Sequence, residues 1–107
     1  MHKKLEAAGC HAVVAEGFEA GGHNGREETT SFVLTPSVKE KVSIPVIAAG
    51  GIATGRQMLA AMVLGASAVQ VGSRFIASHE ASCHLNFKNA VISSQEEIGR
   101  ASCRERV

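Results

Sequence analysis

The chain has 107 residues, 45 % of them hydrophobic, and a formal net charge of +1, enough for one small globular domain. Near-neutral charge, with no Trp or Tyr and no basic stripe interleaved with aromatics, gives no case for nucleic acid or an acidic membrane surface. All ten acidic residues are Glu, which removes the Asp ligands usual in Mg²⁺ sites and the Asp of a hydrolase triad.

In chain order, residues 2–8 read as the end of a helix capped by Gly9. Such an opening resembles the middle of a βα repeat, so upstream sequence is expected. Ala12-Val13-Val14-Ala15 reads as a short buried strand. It runs into Glu16-Gly17-Phe18-Glu19-Ala20-Gly21-Gly22-His23-Asn24-Gly25. Gly21 and Gly22 lack a Cβ, so the backbone can approach a flat ligand closely, and His23 supplies an imidazole that titrates near neutrality. A histidine after a strand commonly serves as a hydrogen-bonding strut. The paired glycines favour the other role, abstraction of a moderately acidic C–H proton.

Thr35-Pro36 predicts a helix start, with Thr35 as cap and Pro36 in the first turn, and Val38 and Val42 share a face. Ile44-Pro45-Val46-Ile47-Ala48-Ala49-Gly50-Gly51-Ile52 is a second strand ending in glycine. Thr54 is a good N-cap for the next helix, whose stripe of Met58, Leu59, Met62 and Val63 is expected in the core, and Gly65 ends it. Residues 68–71 form a third strand leading into Gly72-Ser73-Arg74. Residues 78–91 read as a more polar helix, with Phe87 and Val91 as core contacts.

Apolar strands alternating with helices over short connections predict a parallel sheet buried on both faces. A complete (β/α)8 barrel takes roughly 250 residues. The fold class expected is therefore α/β, about three strand–helix units of a TIM barrel, with weak stability on its own because edges stay unpaired. Residues 1–95 form this partial barrel domain. Residues 96–107 are expected to be a non-native or disordered tail; they resemble the translation of a sequencing adapter read in frame. No run approaches a membrane span, and Met1-His2-Lys3-Lys4 has no apolar segment behind it. The three irregularly spaced cysteines argue against a disulfide framework, so the cytoplasm is the expected compartment.

Gly50-Gly51 and Gln70-Val71-Gly72-Ser73 are phosphate candidates, because barrel loops after parallel strands often present backbone N–H groups to a phosphate. Ser73 adds a hydroxyl and Arg74 a charge. Neither segment fits the Walker or the dinucleotide fingerprint. His79 and His84 are five apart, off a common helical face, so no metal site is read there.

Together these segments resemble the nitronate monooxygenase family, also called 2-nitropropane dioxygenase-like, which includes flavin-dependent enoyl-acyl-carrier-protein reductases of type II. The likeness rests on the loop from Glu16 to Gly25, on the stretch from Ile44 to Arg56, and on the stretch from Leu64 to Phe75. It implies the later part of an FMN-binding TIM barrel. By position it makes His23 the catalytic residue and places Glu16, Gly21, Gly51, Gln70, Val71, Gly72 and Ser73 against FMN. Glu16 stands where some members carry Gln, and Ser73 where Thr is frequent. The implied partners are a nitronate or nitroalkane and O₂, giving a carbonyl compound and nitrite, with no nucleic acid and no membrane. Reduction of an enoyl substrate by NAD(P)H on the same barrel and a non-functional fragment are the alternatives, beside a sugar-phosphate barrel in which His23 is structural.

Overall fold

The computed structural model describes residues 2–20 and 28–93. Helix α1 (His2–Ala7) precedes strand β1 (Val13–Glu16), helix α2 (Ser31–Lys41) and strand β2 (Val46–Ala49). Helix α3 (Gly55–Val63), strand β3 (Ala68–Gln70) and helices α4 (Ser73–Ile76) and α5 (Leu85–Ser93) follow. The strands form one parallel sheet in the order β1-β2-β3. Parallel neighbours require a crossover, and α2 and α3 supply the two here.

Helices α2 and α3 each lie over a small core. Val13, Ala15 and Val46 of the sheet pack with Val38 and Val42, and Leu34 and Ile44 close the edge. Ala48, Ile52, Ala61 and Ala66 form a second cluster, joined by Val69 and Val71. Along β1, Val13 and Ala15 are buried while Val14 and Glu16 are exposed. Burial on both faces therefore does not hold for β1. Three strands do not close a barrel, so the face turned from the helices has no opposing strand to cover it.

The first turn of α2 departs from the expected one. It begins at Ser31, with Thr30 at the cap position making no side-chain bond, and Pro36 lies inside it. Pro36 has no N–H to offer the Phe32 carbonyl, a defect costing about 3 kcal/mol in a helix interior. Burial of Val38 and Val42 in the core cluster and a carboxylate supplied from outside the helix offset it. Helix α3 starts as expected. Gln57 N–H donates to Thr54 Oγ1 at 3.2 Å, and Thr54 N–H donates to Gln57 Oε1 at 3.1 Å, a reciprocal capping box. Its stripe of Met58, Leu59, Met62 and Val63 is exposed, however, and Ala61 is the buried residue. The close approach of α3 to Ala48 and Ile52 leaves room for a methyl group and not for a long side chain.

Of the helix expected over 78–91, only the part from Leu85 forms, as α5, and α4 has ended at Ile76. The Ser78 hydroxyl donates to the Phe75 carbonyl at 2.6 Å, which competes with helix continuation. His84 restarts it, its Nδ1 accepting from the Asn86 N–H at 3.0 Å as a cap for α5. Val91 is buried and Phe87 half-buried, as expected.

Glu6 ties α1 to the chain entering β2. Its carboxylate accepts from the Ser43 N–H at 2.8 Å and from the Ser43 hydroxyl. These bonds hold its pKa below the ordinary value of 4.5. Such a group stabilises the fold above its ordinary value and loses that contribution as pH falls through its lowered one. Glu6→Gln should therefore flatten the acid limb of melting temperature against pH and leave the alkaline limb unchanged. Parallel curves for the two proteins would contradict this.

Candidate functional site

In the sheet register Glu16 pairs with Ala49 and Ala49 with Gln70. Paired residues in neighbouring strands share a face, so the three C-terminal ends stand in one row, and the loops leaving them converge. They enclose a cleft of about 240 Å³ lined by Glu16, Ala20, Ala49, Gly50, Gly51, Ile52, Gln70, Gly72, Ser73 and Ile76.

Backbone conformation shapes the middle wall. Gly50 has φ +102° and Gly51 φ +75°, values that disfavour any side chain. Gly72 differs. Its φ is −109°, open to other residues, and a Cβ built on it would meet no atom within 4 Å. Neither conformation nor packing within the protein calls for glycine there, yet it borders the cleft. The space a side chain would fill there is open.

Ser73 begins α4 and is only 6 % exposed, and its hydroxyl has no hydrogen-bond partner among the described residues. Among the described residues, Gly51 and Gly72 donate to no backbone carbonyl. The cleft thus presents unpaired N–H and O–H donors beside one carboxylate, Glu16, and no basic side chain lines it. An anion here would be held by backbone donors and a hydroxyl, as in phosphate-binding loops after parallel strands.

The described site residues do not all face this cleft. Glu16, Gly51, Gln70, Gly72 and Ser73 line it, while Val71 packs on the Ala48–Ile52 cluster on the helix side. If Val71 reaches a ligand, its backbone is what touches. Arg74 lines a separate hollow of about 380 Å³ with Ser78, Val91 and Ile92, so the charge expected of it is directed elsewhere. Gly21 and His23 lie outside the described residues. Among those described, no three His, Cys, Asp or Glu gather to hold a metal, and no helix is long and apolar enough to cross a membrane.

Two contributors were not anticipated. Ile76 lies one helical turn after Ser73, a spacing visible only once a helix is placed at 73. Glu19 reaches across to Ser31, twelve residues on, a distance at which periodicity carries no signal.

A family model described as nitronate monooxygenase matches residues 1–101. A protein named probable nitronate monooxygenase from Staphylococcus saprophyticus is 42 % identical over 100 residues, covering 85 % of this chain and 28 % of its own. A namesake from Staphylococcus aureus is 43 % identical over 99 residues, with the same coverage. Among solved structures, FabK from Thermotoga maritima superposes with a TM-score of 0.83 and 52 % identity, over 88 % of this chain and 30 % of that one. Nitroalkane oxidase from Streptomyces ansochromogenes gives 0.78 and 40 %, over 84 % and 28 %. The chain therefore spans under a third of the length of these relatives, and its three parallel strands with flanking helices match part of a TIM barrel. On this likeness and the match over residues 1–101, the chain belongs to the nitronate monooxygenase family.

Proposed function

We propose that the cleft at the three strand tips holds the phosphate end of FMN and that the protein oxidises alkyl nitronates or nitroalkanes with O₂. The observation that carries this reading is Gly72, which borders the cleft and whose missing Cβ leaves open space on its wall. The donor set fits a phosphate: the N–H groups of Gly51 and Gly72 and the Ser73 hydroxyl have no hydrogen-bond partner among the described residues and border the cleft. Val71 contributes through its main chain, and Gly21 gives the flavin ring room on the first loop.

Bound FMN supplies the two-electron redox chemistry. The protein's own part is binding and proton handling. Glu16 lines the same cleft as the Gly51 donors, as an acceptor suited to a ring N–H and opposed by charge to a phosphate. His23 takes the α-proton of a neutral nitroalkane, a step an imidazole performs well near neutral pH. The products are the carbonyl compound and nitrite.

The likeness to FabK favours a second reading on the same barrel, reduction of an enoyl-acyl substrate by NAD(P)H. Two measurements on the FMN-loaded protein separate them. Oxygen uptake on adding an alkyl nitronate, with nitrite released, is the expected result. Anaerobic bleaching of the flavin by NAD(P)H without oxygen uptake from nitronate would replace the first reading by the second.

A further inference from the structure

We infer that Glu19 is a positioning residue: through Ser31 it locks the loop after β1 onto the Gly50–Gly51 turn and so presets the donors of the cleft. The part of this inference that concerns FMN rests on the function proposed above; the lock itself does not.

The two carboxylate oxygens of Glu19 lie 2.8 and 3.2 Å from the Ser31 nitrogen, and the nearer one lies 3.1 Å from the Ser31 hydroxyl. Ser31 Oγ is also 2.8 Å from the Gly50 carbonyl and 3.2 Å from that of Ala49. A hydroxyl has one proton, so Ser31 shares it between the carboxylate and the end of β2. One residue is thereby held from both loops at once. The contacts are close on every side. A Cβ on Gly17 would fall 2.1 Å from Ser31 Oγ, and one on Gly50 would fall 3.0 Å from both the Gly17 carbonyl oxygen and the Ala20 nitrogen. The Glu19 side chain runs beneath Gly51, whose added Cβ would lie 3.2 Å from Glu19 Cβ.

A simpler role would be capping alone. Ser31 is the first residue of α2, Thr30 offers no side-chain cap, and a carboxylate at a helix N-terminus is stabilising. Capping, however, does not require Ser31 to bridge to Gly50. The bridge is what connects Glu19 to the wall of the cleft.

The test uses Glu19→Ala, Ser31→Ala, their double variant and Glu19→Gln in the full chain. Two readouts apply: amide hydrogen exchange of the apoprotein, and FMN affinity from flavin fluorescence quenching. The informative amide is Gly17, which donates to the Ala49 carbonyl at 2.8 Å and so joins the two loops. The lock predicts faster exchange at Gly17 as well as at Ser31 in Glu19→Ala. It predicts about tenfold weaker FMN binding in each alanine variant and little further loss in the double, because both remove one device. Glu19→Gln keeps an acceptor oxygen and the side chain's shape, so it should lie between wild type and Glu19→Ala; it decides the matter if the alanine variants do not fold. Faster exchange confined to Ser31, with FMN affinity unchanged, would reduce Glu19 to a helix cap and overturn the inference. Failure of the wild-type chain to bind FMN would overturn the proposed function instead, and Gly17 exchange would then decide the lock.

Discussion

Gly72→Leu should weaken FMN binding by at least about 100-fold, or roughly 2.7 kcal/mol, while the stability of the apoprotein changes little. The backbone at Gly72 has negative φ, and none of the described residues occupies the space its Cβ would enter. Leucine is a poorer N-cap than glycine, a loss on the order of 1 kcal/mol. It also restricts the unfolded chain, a gain of about 0.4–1 kcal/mol. The two effects nearly cancel, so a change in binding reports on the cleft and not on folding. Flavin titration beside chemical denaturation checks both halves. Unaltered FMN affinity would mean that the open space at Gly72 has another purpose.

His23→Asn should lower turnover of neutral nitroalkanes by about 10²–10⁴-fold, the usual worth of a positioned general base. Pre-formed nitronates have already lost the α-proton, so their turnover should fall far less. Comparing kcat/KM for the two substrate forms isolates proton abstraction from binding, since a loss of uniform binding would affect both equally. Equal losses would remove the base role from His23. Glu19 and Ser31 enter here as well, because the loop that carries His23 departs from Ala20, next to the lock.

Much of the scaffold was legible because short apolar runs ending in glycine leave few alternatives. Val13 to Ala15, Val46 to Ala49 and Ala68 to Gln70 are strands for that reason, and Thr54 marked the start of α3. What escaped depends on contacts distant in sequence. Pro36 reads locally as a first-turn residue, yet α2 starts at Ser31 because Glu19 meets its N-terminus from another loop. The Met58 to Val63 stripe has helical spacing, but closeness to the sheet selected Ala61. Ser78 and His84 looked like parts of one helix and instead break and restart it through their own side chains.

The site followed the same division. Parallel strands that end level bring Glu16, Gly51, Gln70, Gly72 and Ser73 to one cleft, so their shared location was readable from three strand–glycine units. Val69 and Val71 are two apart and both pack on the helix side, so the alternation of β3 already turned the Val71 side chain away from the cleft. Arg74 was placed by helix α4, whose first turn carries it towards Val91 and away from the cleft.

On this reading donors at the tips of β2 and β3 grip a phosphate. Titrating the protein with FMN and with riboflavin, which differ only in that group, tests it most directly. The account predicts that FMN binds at least about 100-fold more tightly, a difference of roughly 2.7 kcal/mol, and that inorganic phosphate competes. Equal affinity for the two flavins, or no binding of FMN, would contradict it.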